Sequence, residues 1–323
     1  MINAYATERG RLQPVPDLEH DLRGIVWIDL LNPTEEEDAL LERAVGVGIP
    51  TREEMEEIEV SSRLYYEEGA AFMTATLPAQ ADRDDPEMAP VTFVLTGTRL
   101  VTVRYHDPRA FQTFRQRALK VPMGATTGYG ALVALLEVVV DRLADVLERA
   151  GRDVEVISRG IFQLNGGRSR KSRDFQRWLE AIGRKGDLNS KIRDSLLTLE
   201  RLGGFLGQVT SEGSDDPQMR ARLRTLARDV QSLTDHSSFL SQKVTFLLDA
   251  TLGMINIEQN AIIKIFSVAA VVFLPPTLIA SIYGMNFEHM PELDWFLGYP
   301  FALGLMAVSA VLPYLYFKWR GWL

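Results

Sequence analysis

Cysteine is absent from the 323-residue chain, which excludes disulfides and thiolate metal sites and fits a reducing compartment. A basic surplus is absent too. Lys and Arg number 35 against 43 Asp and Glu, a formal net charge of −8, which argues against nucleic acid as a partner. Residues 1–125 contain no Gly-rich phosphate loop and no nucleophile set beside a base, so an enzyme would have no recognisable machinery there. The opening MINAYATERGRLQPVPD lacks a basic region followed by an apolar stretch, so nothing in it directs the next roughly 260 residues out of the cell. With 24% charged residues and a mean hydropathy of −0.03, most of the chain is expected in water.

Long apolar runs do occur, both near the C-terminus. Ile265 to Tyr283 (IFSVAAVVFLPPTLIASIY) is uncharged over 19 positions, and Trp295 to Phe317 (WFLGYPFALGLMAVSAVLPYLYF) over 23. Each approaches the ~20 residues that a helix needs to cross the hydrocarbon core, and Trp and Tyr cluster at the ends of the second as interfacial belts require. Two buried core helices would fit the lengths, but not the aromatic ends and basic tail together. The loop between the runs carries Glu288, Glu292 and Asp294 with no Lys or Arg, while Lys318 and Arg320 follow the second run. The positive-inside bias then puts both termini in the cytoplasm.

The pattern divides the chain into an α/β layer (1–125), a helical hairpin and stalk (126–260), a first span (261–283), an external loop (284–295), a second span (296–317) and a basic tail (318–323). In the first part, Ile25 to Leu30, Arg63 to Leu77 and the hairpin Val91 to Tyr105, with Gly97 at its turn, are predicted strands. Thr34 with Glu37 and Thr51 with Glu54 are predicted capping boxes of short helices. Asp82, Asp84, Asp85 and Glu87 form an acidic turn, read as a solvated loop in preference to a divalent-ion site. Ala131 to Ala150 and Phe175 to Leu206 are predicted helices joined by the basic connector NGGRSRKSR, itself read as solvated.

The third helical stretch carries the most information. Leu223, Leu226, Val230, Leu233, Ser237, Leu240, Val244, Leu247, Thr251 and Met254 recur at spacings of three and four, the mark of a long packing seam. No breaker separates this seam from the first span, so one rod from near Pro217 to Tyr283 is expected, roughly 100 Å at 1.5 Å per residue. The same spacing continued picks out Asn260, Ile263, Ser267, Ala270, Leu274, Thr277, Ser281 and Gly284, a mostly small or polar face. Such a stripe serves close helix packing or lines a watery path between subunits. Carboxamides at both ends, Asn260 and Asn286, suit a cation: Mg²⁺ sheds water reluctantly and is handled by offering oxygens to its hydrate. Two spans cannot enclose such a path, so a ring of copies is required. Pro275 and Pro276 free carbonyls near Val271 and Val272 and predict a kink.

YGMNF followed by MPEL, within the stretch Gly253 to Leu293, together with the closing PYLYFKWRGWL, resembles the CorA magnesium-transport family, whose defining motif is Gly-Met-Asn after the first of two C-terminal spans. The resemblance implies an α+β membrane protein that assembles as a homopentameric funnel in the inner membrane of a bacterium. The first spans would line the pore and the second lie outside them. It places Gly284, Met285 and Asn286 at the external entrance and Asn260, Ile263, Ser267, Leu274, Thr277, Ser281 and Gly284 along the pore, with Leu274 and Ile263 as apolar constrictions. Mg²⁺ would be both cargo and regulatory brake, Co²⁺ and Ni²⁺ lesser cargo, and no organic cofactor is implied. Asp229, Asp235 and Asp249 are the candidate regulatory ligands. The basic hairpin tip (168–173) and His289 depart from the family pattern. Two alternatives stand beside this one: a ZntB-like proton-coupled zinc transporter, against which Met285 argues, and a membrane-anchored enzyme or sensor.

Overall fold

A computed structural model describes residues 1–16, 24–82, 86–162, 172–211, 216–286, 290–291 and 294–322. The strands are β1 (Ile2–Glu8), β2 (Arg11–Val15), β3 (Ile25–Leu31), β4 (Leu64–Glu67), β5 (Ala70–Ala79), β6 (Glu87–Thr96) and β7 (Arg99–Arg104). The helices are α1 (Glu35–Val45), α2 (Arg52–Glu56), α3 (Val60–Arg63), α4 (Arg109–Ala118), α5 (Gly128–Phe162), α6 (Ser172–Ser211), α7 (Pro217–Tyr283) and α8 (Gly298–Trp319). They fall into two compact units, Met1–Leu248 and Asp249–Leu323.

In the first unit the sheet runs β2-β1-β3-β7-β6-β5-β4, antiparallel except for the parallel pair β3/β7. Strand periodicity sorts its side chains between two cores. Trp27, Phe93 and Leu100 face the cluster shared with α4, α5 and α6, whereas their neighbours Ile28, Val94 and Val101 join Leu41 and Met55 on the other side. Both expected capping boxes form: Thr34 and Thr51 accept from Glu37 and Glu54 backbone N–H groups, and each glutamate accepts in return.

One local expectation is corrected and two elements are added. The predicted strand Arg63 to Leu77 is a hairpin, because Glu68 (φ 50°) and Gly69 (φ 79°) turn the chain between β4 and β5. A second hairpin, β1/β2, turns at Arg9 (φ 50°) and Gly10 (φ 79°), and α4 was not anticipated. The core of the basic connector, 165–171, lies outside the described residues.

The rod is present as expected: α7 is one helix of 67 residues that continues through Pro275 and Pro276. Every seam residue from Leu223 to Leu247 is buried or half-buried, and α6 supplies Leu188, Ile192, Leu196 and Leu199 to the same core.

Candidate functional site: the span ending at Gly-Met-Asn

The second unit contains the final part of α7 and all of α8, and only 6% of the apolar window of either helix is buried. Core helices of a soluble protein would be covered by protein, so these apolar surfaces need a different surrounding. One end of the pair carries cationic and aromatic contacts. The Lys264 ammonium stands 5.9 Å from the Trp322 ring centre and the Arg320 guanidinium 5.8 Å from that of Tyr316, cation–π contacts suited to an interface. At the other end a cavity of about 400 Å³ is bounded by Ala280, Tyr283 and Gly284 of α7 and by Gly298, Tyr299 and Ala302 of α8.

Burial along α7 has a direction. Val268 is 5% exposed and Val272, Pro275, Pro276, Ile279 and Tyr283 are half-buried, while α8 answers with buried Gly298 and Ala302 and half-buried Met306, Ser309, Pro313 and Phe317. The stripe lies elsewhere. Asn260, Ile263, Ser267, Ala270, Leu274, Thr277, Ser281 and Gly284 are all exposed, with Ile263 at 61% and Leu274 at 65%. The structure therefore brings the stripe together on a face that α8 does not cover. Within one chain its small residues do not serve packing of the two spans.

Local hydrogen bonding defines the end of the span. The Thr277 hydroxyl donates to the Phe273 carbonyl at 2.7 Å, which spends its proton on its own helix and leaves acceptor capacity. Proline nitrogens at 275 and 276 cannot close the bonds to the Val271 and Val272 carbonyls one turn earlier, on the side of α7 where Val272, Pro275 and Pro276 are half-buried. The helix ends with Gly284 N–H donating to the Ala280 carbonyl at 2.9 Å and Met285 N–H to that of Ile282 at 3.2 Å. A Cβ at 284 would stand 3.1 Å from the Ala280 oxygen, so glycine permits this tight ending. Met285 and Asn286 follow, exposed. Of the acidic loop, Asp294 is exposed; Glu288, Glu292 and His289 lie outside the described residues.

Asp229, Asp235 and Asp249 are exposed on α7, and among the described residues no three His, Asp or Glu side chains are gathered for a metal. Sequence reasoning missed the company Asp229 keeps. Burial pushes the Asp141 carboxyl up, opposed by Arg117 and reinforced by Asp145, Glu137 and Asp229. Within the acidic turn Asp82 is ion-paired: it accepts from Arg109 and Arg142 at 2.7 Å and from Arg149 at 2.5 Å, and these guanidiniums, Arg149 first, hold its carboxyl well below the usual range, while Glu87 is exposed as expected of a solvated loop. Asp84 and Asp85 lie outside the described residues.

Known proteins are similar to this chain over its whole length. The family described as "CorA: CorA-like Mg2+ transporter protein" matches residues 23–319. Magnesium transport protein CorA of Haemophilus influenzae is 38% identical over 323 residues, and that of Pasteurella multocida 38% over 324, each covering 100% of both chains. Among solved structures, the CorA magnesium transporter from Methanocaldococcus jannaschii aligns over 100% of this chain and 99% of its own, with a TM-score of 0.75 at 18% identity. The ZntB cytoplasmic domain from Vibrio parahaemolyticus covers 79% of this chain and 97% of its own, with a TM-score of 0.53 at 10% identity.

Proposed function

This chain belongs to the CorA-like Mg²⁺ transporter family, and we propose that it forms a gated, homopentameric channel through which hydrated Mg²⁺ enters the cell. The observation that carries the reading is the exposed stripe from Asn260 to Gly284 on the face of α7 that α8 leaves uncovered. In a ring of copies those faces converge, and water and ions satisfy the oxygens that no intrachain partner claims. Ile263 and Leu274 narrow the path and close it by excluding water. Asn286 offers a neutral amide oxygen to the ion's hydration shell, strong enough to orient it and too weak to trap it.

The driving force is electrical. Two charges moved inward across 100 mV gain about 4.6 kcal/mol, so neither ATP nor a coupling ion is required. The membrane is the bacterial inner membrane, with both termini in the cytoplasm and the Gly-Met-Asn loop outside. Glu288, Glu292 and Asp294, repeated around the ring, concentrate cations at the mouth. Mg²⁺ returning from inside binds between copies at exposed stalk carboxylates, Asp229, Asp235 and Asp249, and favours closure. Co²⁺ and Ni²⁺, octahedral and of similar charge, pass as lesser cargo.

The test uses purified full-length protein in sealed vesicles under an imposed inside-negative potential. Mg²⁺ should enter without a proton gradient. Flux of Zn²⁺ that appears only with a proton gradient would replace this reading with the zinc one, and no flux of either ion would reduce the spans to anchors.

A further inference from the structure

We infer that Asn189 is a positioning residue for gating: it fixes the axial register of α7 on α6, so that motion reaching the pore stripe starts from a fixed point at Ser237. The inference rests on the reading of α7 as the helix that runs into a pore. Its basis is a polar interruption in an apolar seam. Asn189 is 2% exposed and Ser237 fully buried, between Leu188 and Ile192 on α6 and Leu233 and Leu240 on α7.

The contact is reciprocal. Asn189 Nδ2 donates to the Ser237 carbonyl at 2.9 Å and to the Ser241 hydroxyl at 2.8 Å, and its Oδ1 accepts from the Ser237 hydroxyl at 3.2 Å. Both amide protons are thus spent on residues one helical turn apart. A seam of leucines and valines alone tolerates a slip of one turn, because each side chain then meets another of similar shape. A carboxamide does not. The next seam step on α7 would put Leu240 and Val244 where Ser237 and Ser241 stand, and neither offers a side-chain partner, so that slip strips Asn189 of both serine hydroxyls while it stays buried. A single polar residue at a coiled-coil core position sets register by the same logic.

Other contacts agree on this register. Arg222 pairs with Glu137 at 2.6 Å and Lys243 with Glu155 at 2.5 Å, tying α7 to α5, although these pairs are partly exposed and hold less firmly. Gly186 on α6 marks the same alignment, since a Cβ there would lie 3.3 Å from Val244 Cγ1. A change that opens the constrictions at Ile263 and Leu274 is therefore a bend or rotation beyond Ser237, and not a slide of the whole rod.

The absence of cysteine gives a clean background for disulfide trapping in the full-length protein. The pair Gly186→Cys with Val244→Cys reports the native register; Gly186→Cys with Leu247→Cys reports a slip of one seam step, three residues. In the parent chain only the first pair should cross-link. Asn189→Leu, which keeps the seam apolar and the protein folded, should make the slipped pair cross-link as well and raise resting Mg²⁺ flux several-fold. The exchanged pair Asn189→Ser with Ser237→Asn should restore both patterns. The inference is overturned if Asn189→Leu, at unchanged elution volume, leaves the slipped pair silent, or if flux changes with no change in cross-linking. Parent vesicles that pass no Mg²⁺ would defeat the transport reading separately, with the cross-links still deciding the register.

Discussion

The two units handle polar groups in opposite ways. Within Met1–Leu248 the buried Asp29–Arg104 pair is closed off by its own chain: Asp29 receives Arg104 through two bonds of 2.9 and 2.8 Å and Thr102 at 2.8 Å, while Trp27 Nε1 donates to the same threonine at 3.0 Å. Within Asp249–Leu323 the amide, hydroxyls and small residues of the stripe stay exposed. A buried polar group without a partner costs about 1–3 kcal/mol, and in a bilayer the penalty is larger. The first unit therefore covers its own buried charges, and the second presents an apolar and polar surface that its own chain leaves open. Substitutions should separate these behaviours, moving stability in the first unit and transport in the second.

The largest separation is expected at the mouth. Asn286→Ala should nearly abolish Mg²⁺ uptake, by roughly tenfold or more, while expression, insertion and oligomer size stay unchanged, because an exposed residue beyond the helix end contributes little to packing. Asn286→Asp should bind external divalent ions more tightly and pass them more slowly. Vesicle flux measured beside size-exclusion profiles checks both, and parental uptake by a well-assembled Asn286→Ala protein would make Tyr-Gly-Met-Asn only a turn.

Next in size is Leu274→Asn. A polar ring at this exposed position wets the constriction, so resting flux should rise several-fold and growth in high external Mg²⁺ should suffer. The melting temperature should hardly move, since Leu274 is not covered by its own chain. Unchanged resting flux in an assembled mutant removes Leu274 from the gate.

The exposed stripe of α7 was legible in the sequence because periodicity alone reports a shared face: residues at spacings of three and four lie together whatever lies opposite. The α7 seam was legible for the same reason. The first unit was harder to read. Aromatic and apolar residues stand on both sides of the Glu68–Gly69 turn, so β4 and β5 read as one strand. Asp29 and Arg104 are 75 residues apart in sequence, and only the parallel pairing of β3 with β7 brings them together. Asn189 sits among Asp, Lys and Arg on a largely polar helix, where nothing local distinguishes a buried amide from a solvated one.

A third prediction moves stability and leaves the pore alone. Arg104→Ala abandons the Asp29 carboxylate at 3% side-chain exposure and should cost about 3–5 kcal/mol. Asp29→Leu combined with Arg104→Met removes both charges and should recover most of that loss, as replacing a buried pair by apolar groups often does. Thermal melting of the detergent-solubilised chain measures both. Equal damage from the single and double variants would show that the pair's other partners, Asp107 and Thr102, dominate.

The smallest expected effect concerns a polar group the first unit leaves half-closed. His106 is buried, its Nε2 lies 2.8 Å from the Leu77 carbonyl, and its Nδ1 has no hydrogen-bond partner among the described residues. Burial lowers its pKa, partly offset by the Leu77 carbonyl and by Glu87. The unfolded chain therefore takes up a proton near the ordinary value of about 6.5 while the folded chain resists, so stability falls as pH drops below that value, by at most about 1.4 kcal/mol per unit. Asp82 does not confuse this window. Its carboxyl is held down by Arg149 and Arg142, so its contribution is intact above about pH 4 and lost only below. His106→Gln keeps an amide donor for Leu77 and cannot titrate. Melting temperatures compared between pH 7.5 and 5.5 should fall less for His106→Gln than for the parent chain, and parallel declines would mean that the imidazole is not what makes this unit acid-sensitive.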